Sequence, residues 1–155
     1  SKSVNGNLKI KFENAREKFR DSHLLLKSTM TRLQQGGDGD MNRILEELVK
    51  KNDSVVSVYI LDSSGKQRSK RLAGRAADPF GLRVVPSAVG SDHSGHDYFT
   101  YLNSGFEKAA GERSPDALRS DGYNYLAGFY YKEGSRRGRI LVLEYVNAAP
   151  DDVKD

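Results

Sequence analysis

The first part of the chain carries apolar residues at helical spacing. One apolar position recurs every seven residues, at Phe12, Phe19, Leu26 and Leu33. This stripe predicts one long helix over residues 4–34, and a second amphipathic pattern predicts a shorter helix over 40–52. At 1.5 Å per residue the first helix would be about 45 Å long, which exceeds a small domain. The stripe therefore predicts a parallel homodimer through this helix, and the alternative is burial of the whole stripe against the domain itself.

Later stretches of the chain have the composition and alternation typical of strands. Residues 54–61 are rich in β-branched side chains on both faces, which predicts a central strand covered on both sides. The turn residues Asp62-Ser63-Ser64-Gly65 follow, and the polar stretch 66–72 is expected to return as an edge strand. Two alternating stretches, 123–131 and 139–146, predict two further strands joined by a charged hairpin loop.

A long loop over residues 73–96 separates these strand regions. It contains several glycines and prolines and no hydrophobic period, and loops of this length in compact domains are usually functional or disordered. The loop leads into residues 97–110, where apolar residues at helical spacing predict a helix, namely Tyr98, Leu102, Phe106 and Ala109. A brief strand is expected near residues 117–119.

Two of the three histidines, His93 and His96, lie just before this predicted helix, beside Asp92 and Asp97. Titratable groups next to aromatic residues at the start of a helix suit the capture of a small anion, because free N–H groups point outward there. The alternative is a capped helix preceded by solvated polar residues. The four residues are also metal-ligand types, but their spacing matches no metal-binding signature, so no metal is predicted.

Composition narrows the possible functions. With 155 residues, 37% apolar and 30% charged, the chain is expected to form a single soluble domain over 1–155, without a transmembrane span. The absence of cysteine excludes disulfides and thiolate chemistry. The net charge is +4, and a basic run lies between Lys66 and Arg83. Nucleic-acid binding is not predicted, because this run and the tyrosines lie on different segments. No nucleophile–base pair stands out, so neither an enzyme nor a cofactor is predicted.

The order of these elements resembles the extracytoplasmic Cache (PDC-type, PAS-like) sensor domains of bacterial receptors over nearly the whole chain. Two segments carry most of the resemblance: Val55–Gly65, VVSVYILDSSG, and His96-Asp97-Tyr98-Phe99. The resemblance implies an α+β fold with a central antiparallel sheet of about five strands over 54–147. The long N-terminal helix would pack on one face, and the loop with its helix would form a ligand lid on the other.

The resemblance also implies a function. The chain is expected to be the periplasmic ligand-sensing domain of an inner-membrane receptor, anchored through spans outside this sequence. A histidine kinase, a cyclic-dinucleotide enzyme or a chemoreceptor would supply the output. The alternative is a cytoplasmic PAS-like or profilin-like module that binds a protein partner and no small ligand.

Candidate ligand-binding residues follow from the same resemblance. Many members have arginine where this chain has His96, beside the aromatic pair Tyr98 and Phe99. Amino-acid-binding members tend to have a carboxylate five residues later, where this chain has Tyr101, so an α-amino acid ligand is disfavoured and a small carboxylate is expected. The remaining expected ligand-binding residues are His93, Arg83, Tyr123 and Tyr125.

Overall fold

The computed structural model of the protein describes residues 20–76, 87–103, 108–113, 123–131 and 137–146. Helix α1 spans residues 20–35, and a short 3-10 turn precedes the second helix. The elements that follow are α2 (Met41–Lys51), β1 (Val55–Asp62), β2 (Leu72–Ala73), α3 (Asp97–Asn103), β3 (Lys108–Arg113), β4 (Tyr123–Tyr131) and β5 (Gly138–Tyr145).

The strands form one antiparallel sheet in the order β2-β1-β5-β4-β3. Strand β2 contributes only two residue pairs, Ser57 with Ala73 and Val58 with Leu72, so four strands make up nearly all of the sheet. The predicted α+β class and antiparallel sheet are confirmed. Residues 1–19, which hold the first half of the predicted long helix, lie outside the described residues.

Helix α1 packs on one face of the sheet together with α2. Leu26 and Leu33 of α1 are buried in the same apolar cluster as Ile44, Leu45 and Leu48 of α2. This face is called the helix face below. Both residues belong to the seven-residue stripe, so this part of the stripe is buried within the domain, as the alternative expected. Dimerisation through the helix stays a prediction. Phe12 and Phe19 lie outside the described residues.

Contacts along α1 define its direction. Leu26 and Met30 lie over Gly128 of β4, which pairs with Leu141 of β5. Just beyond the end of α1, the carboxylate of Asp38 accepts a hydrogen bond from Arg139 at 3.0 Å. Helix α1 therefore runs antiparallel to β5, and its N-terminal end lies at the same end of the sheet as the C-terminal end of β5.

Strand β1 is the predicted central strand, and it is buried on both sides. Val58 and Ile60 belong to the cluster on the helix face, whereas Tyr59 and Leu61 belong to a second cluster on the opposite face. This opposite face is called the distal face below. Regular alternation would place Val55 with Tyr59, but a register shift between Val55 and Ser57 brings Val55 into the helix-face cluster.

Helix α3 covers the distal face with Leu102 and Phe99, but it is shorter than predicted. The expected helix over 97–110 ends at Asn103, and residues 108–113 form β3. Ala109, expected on the helical stripe, pairs with Ala127 of β4 instead. Pairing with a neighbouring strand supplies backbone partners that apolar spacing alone does not reveal. The strand expected near 117–119 lies outside the described residues.

The predicted edge strand over 66–72 is mostly absent. The backbone amide of Ile60 donates to the Ser69 hydroxyl oxygen at 2.8 Å, and the Ile60 carbonyl accepts the Arg68 N–H at 2.8 Å. A side chain thus replaces the strand ladder at this position. Regular pairing resumes only at Leu72.

The turn after β1 fixes the returning loop against α3. Asp62 Oδ1 accepts hydrogen bonds from Ser64 N–H at 2.9 Å and from Lys66 N–H at 3.0 Å. Partial burial opposes ionisation of this carboxyl, but the hydrogen bonds from Ser64 and Lys66 outweigh it and lower the pKa of Asp62. Gly65 has φ +90°, and its carbonyl accepts the His93 N–H at 2.8 Å.

The close packing at Gly65 can be tested by comparison with Gly90, a second glycine with a positive φ. A Cβ at Gly65 would lie 3.0 Å from the Phe99 ring and 3.1 Å from Ser94 Cα, whereas a Cβ at Gly90, φ +96°, meets nothing within 4 Å. Gly90→Ala should cost about 1–2 kcal/mol of the free energy of unfolding through backbone strain. Gly65→Ala should cost about 1–3 kcal/mol more through overpacking. Urea denaturation measures both, and equal losses would contradict this packing.

Candidate functional site

A buried polar group interrupts the apolar distal face. Glu144 of β5 has no exposed surface, and it pairs with Ser57 of β1 and Tyr125 of β4 in the sheet. Glu144 Oε1 accepts hydrogen bonds from the Ser57 hydroxyl and from the guanidinium of Arg71. Arg71 Nε also donates to the Ser57 hydroxyl oxygen at 3.2 Å. The buried carboxylate is thus paired with a cation, as burial of a charge requires.

The guanidinium of Arg71 lies at one end of a row of aromatic and imidazole rings. Its central carbon lies 5.4 Å from the ring centroid of Tyr59, within the range of a cation–π interaction. The Tyr59 and His93 rings are 5.0 Å apart, and the His93 and His96 rings stack at 5.5 Å. Arg71, Tyr59, His93 and His96 therefore form one continuous row on the distal side, with a cation at one end and a half-buried imidazole at the other.

Gln67 holds the loop that carries the two histidines. Its side chain is almost fully buried, and its Oε1 lies 2.9 Å from His93 Nε2 and accepts the Ser87 hydroxyl at 2.5 Å. Its Nε2 donates to the carbonyls of Ser69 at 2.6 Å and Ser87 at 2.9 Å. One amide side chain thus joins the segment after β1 to the loop at both residues, which explains why His93 is fixed beside Tyr59.

The structure brings together part of the predicted ligand set. His93 and His96 stack on each other, and Tyr125 is buried on the distal face. Tyr98 and Tyr101 lie in α3, and Tyr123 begins β4, but their side chains are not described. Arg83 lies outside the described residues. The roles of these residues remain predictions.

Sequence reasoning missed Arg71, Glu144, Ser57 and Gln67. One of them had a signal: Glu144 is the single charged residue within the apolar run of β5, and a charge in a strand buried on both sides needs a partner. Arg71 was hidden within a basic run, where its neighbours Lys70 and Arg68 are exposed. Only the fold distinguishes the arginine that turns inward.

The arrangement is suited to binding polar molecules. Cationic, carboxylate, imidazole and phenol groups lie together on the distal side, and the side chains of Arg71 and Glu144 are only 13% and 0% exposed. Within the described ranges, no group of three or more His, Asp and Glu side chains could hold a metal ion. No described helix combines the length and the apolar character needed to span a bilayer.

Solved structures of similar fold come from sensory proteins. The ligand-binding domain of the Pseudomonas aeruginosa PAO1 amino acid chemoreceptor PctC, in complex with GABA, superposes with a TM-score of 0.63 at 15% identity, covering 92% of this chain and 60% of that one. An extracellular ligand-binding receptor from Desulfohalobium retbaense gives 0.62 at 17% identity, covering 90% and 24%. The extracellular domain of a histidine kinase, vpHK1S-Z8, gives 0.60 at 14% identity, covering 94% and 61%.

This chain has the fold of bacterial extracellular sensor domains. The predicted resemblance to Cache domains is therefore confirmed at the level of the fold. The chain spans between about a quarter and three fifths of the length of these structures. No protein-family model and no curated protein sequence matches the chain.

The buried ion pair between Arg71 and Glu144 can be tested by a double-mutant cycle. Arg71→Met should cost about 3–5 kcal/mol of the free energy of unfolding, because it leaves the Glu144 carboxylate buried without its cation. The double variant Arg71→Met/Glu144→Leu should be more stable than Arg71→Met, since both charges are then gone. Urea denaturation of the two variants and of Glu144→Leu gives the coupling.

An exposed ion pair supplies the matched control. Arg75 and Asp53 are 3.2 Å apart, with side chains 66% and 84% exposed. Arg75→Met should therefore change the free energy of unfolding by about 0–1 kcal/mol. A cost for Arg71→Met as small as that for Arg75→Met, or additive losses in the double variant, would show that the buried pair is not coupled as described.

Proposed function

We propose that this chain is the ligand-sensing domain of a transmembrane signalling receptor, with no catalytic activity of its own. The binding site lies on the distal face, between the sheet and the lid formed by the loop and α3. A histidine kinase, a cyclic-dinucleotide enzyme or a chemoreceptor supplies the output. The native location is extracytoplasmic, on an inner-membrane protein.

The observation that carries this proposal is the asymmetry of the two sheet faces. The helix face is closed by apolar contacts with α1 and α2. The distal face instead carries the Arg71–Glu144 pair and the row of rings beneath α3. Binding sites combine an apolar lining with a few placed polar groups, and the distal face has this composition. The sensory proteins of similar fold favour the sensor function over the alternative of a cytoplasmic interaction module.

The direction of α1 supports a place between two membrane spans. Because α1 runs antiparallel to β5, the N-terminal end of α1 and the C-terminal end of β5 lie at one end of the sheet. A domain held between two spans needs both connections on the membrane side. We further propose that receptor dimers form through the part of the long helix with Phe12 and Phe19, ahead of the half that the sheet buries.

The ligand is proposed to be a small carboxylate. The distal row offers the guanidinium of Arg71 and the half-buried imidazole of His96, and Arg83 is proposed to add a second cation from the loop. The predicted helix of 97–110 is only Asp97–Asn103, so its dipole is short and the side-chain cations are the principal anchors. Tyr98, Tyr101, Tyr123 and Tyr125 are proposed to donate the remaining hydrogen bonds.

A thermal-shift screen of small carboxylates and other metabolites tests the function. A ligand at 100 times its dissociation constant should stabilise the fold by about 2.7 kcal/mol, which raises the melting temperature of a chain of this size by roughly 5–10 °C. Tyr125→Phe should reduce the shift, because its hydroxyl is proposed to contact the ligand.

Tyr145→Phe is the matched control, because Tyr145 is an equally buried tyrosine of the neighbouring strand on the helix face. It should leave the ligand-induced shift unchanged. Equal effects of the two variants would contradict a site on the distal face. If no compound in a broad screen raises the melting temperature, the interaction module is favoured instead.

Binding of a carboxylate is expected to depend on pH through His96. Imidazole has an ordinary pKa of about 6.5, and a bound carboxylate favours its charged form and raises its pKa. The affinity for the carboxylate is therefore greatest below the pKa of the imidazole and falls as the pH rises through that pKa. Calorimetric titration should therefore give tighter binding at pH 5.5 than at 8.0, and His96→Ala should remove most of the difference.

His23→Ala removes the one histidine of α1 and is the control variant, which should leave the pH dependence intact.

Two nearby carboxylates do not account for the pH dependence. Hydrogen bonds from the Ser64 hydroxyl and the Lys66 and Ser64 amides lower the pKa of Asp62 despite its partial burial, and the backbone hydrogen bond from Ser94 lowers the pKa of Asp92. Both carboxylates are therefore charged at the two pH values. If a carboxylate binds equally well at both, or His96→Ala binds like the native chain, His96 is not the anchor.

A further inference from the structure

A second polar concavity lies at the end of the sheet where β1 ends and β5 begins. It is a partly open cleft of about 220 Å³, lined by two segments distant in sequence. The turn after β1 contributes Asp62, Ser63, Ser64 and Arg68, and the start of β5 contributes Arg137 and Arg139. The distal row is built from other residues, so the two sites are separate.

The lining of this cleft has an excess of positive charge. Arg68, Arg137 and Arg139 face it together with one carboxylate, Asp62. That carboxylate is engaged by its own turn, since Oδ1 accepts hydrogen bonds from the Ser64 amide and hydroxyl and from the Lys66 amide. These hydrogen bonds commit Oδ1 to the turn, and the lining as a whole carries three guanidinium groups against one carboxylate, which gives it a net positive charge.

The arginines of the cleft differ in burial. Arg139 is mostly buried, with a side chain 15% exposed, and it is held at 3.0 Å by the carboxylate of Asp38. Arg68 and Arg137 are exposed, and Ser63 adds a hydroxyl to the lining. Three guanidinium groups from two segments can contact a compact anion from several sides.

From this geometry we infer that the cleft binds a doubly charged oxyanion of the phosphate or sulfate type. The planar fork of a guanidinium matches two oxygens of such a group. The volume lies below the range of about 300–1,000 Å³ usual for sites of drug-sized ligands. An inorganic oxyanion or a compact phosphate monoester fits this space, whereas a nucleotide is too large.

The source of the anion is a soluble molecule and not a lipid headgroup. The cleft lies at the Asp62–Arg139 end of the sheet, whereas the N-terminal end of α1 and the C-terminal end of β5 lie at the opposite end. In a receptor whose connections leave from that opposite end, the cleft points away from the membrane. The inference about the anion itself does not depend on the proposed sensor function.

Calorimetric titration with sodium sulfate and with sodium phosphate, at constant ionic strength set with sodium chloride, tests the inference. The native chain should bind both saturably with one site. Arg68→Gln/Arg137→Gln should bind at least tenfold more weakly. Arg43→Gln/Arg75→Gln removes the same two positive charges from exposed arginines elsewhere, and it should stay within about twofold of the native chain.

Two further measurements locate the site and identify the source. Backbone NMR should show the largest sulfate-induced shifts at the amides of Ser63, Ser64 and Gly138. In sedimentation with phosphatidylglycerol vesicles, Arg68→Gln/Arg137→Gln should lose no more vesicle binding than the control variant Arg43→Gln/Arg75→Gln.

Absence of saturable sulfate and phosphate binding, equal weakening of both double variants, or a loss of vesicle binding confined to the cleft variant would each overturn the inference. None of these outcomes affects the distal site, because its residues are unchanged in every variant.

Discussion

The burial of β1 on both faces is the constraint on which the rest of the structure depends. Every residue from Val55 to Leu61 is buried, so both sides of this strand require a covering layer. On the helix face α1 and α2 supply it with apolar side chains, and on the distal face α3 supplies it with Phe99 and Leu102. Burial on both sides is favourable mainly through the apolar area removed from water.

The distal face departs from this apolar rule at Glu144, and the departure explains its chemistry. A buried carboxylate is tolerated only with a cation and hydrogen-bond donors, which Arg71 and Ser57 provide. Arg71 is held by these bonds while its guanidinium lies over Tyr59. The same constraint that keeps the charge pair stable therefore orients a cation and an aromatic row on the distal side, where interactions are strengthened by the low local dielectric of a buried site.

Much of the fold was predictable from the sequence because it depends on local patterns. Hydrophobic periodicity predicts strand β1 with two apolar faces, the amphipathic helix α2 and the paired strands β4 and β5. Turn chemistry predicts the Asp62–Gly65 turn. His93 and His96 were named as candidates from a short-range signal, titratable residues beside aromatics, and their role in binding stays a prediction. The resemblance to Cache domains, carried by the order of these elements, predicted the fold correctly at the level that structures of 14–17% identity confirm.

For α2, β1, β4 and β5 the sequence by itself determined whether the segment is helical or extended and where its apolar residues lie, because those properties repeat within a few residues. Tertiary structure alone decided three things. It ended α3 at Asn103 and paired Lys108–Arg113 with β4, it turned Ser69 inward to replace the ladder at Ile60, and it selected Arg71 as the partner of Glu144. Each choice depends on a contact between residues that lie beyond the reach of helical or strand periodicity, from nine residues apart for Ser69 and Ile60 to 73 for Arg71 and Glu144. The free energy of such a contact comes from burial and pairing that exist only once the sheet has formed.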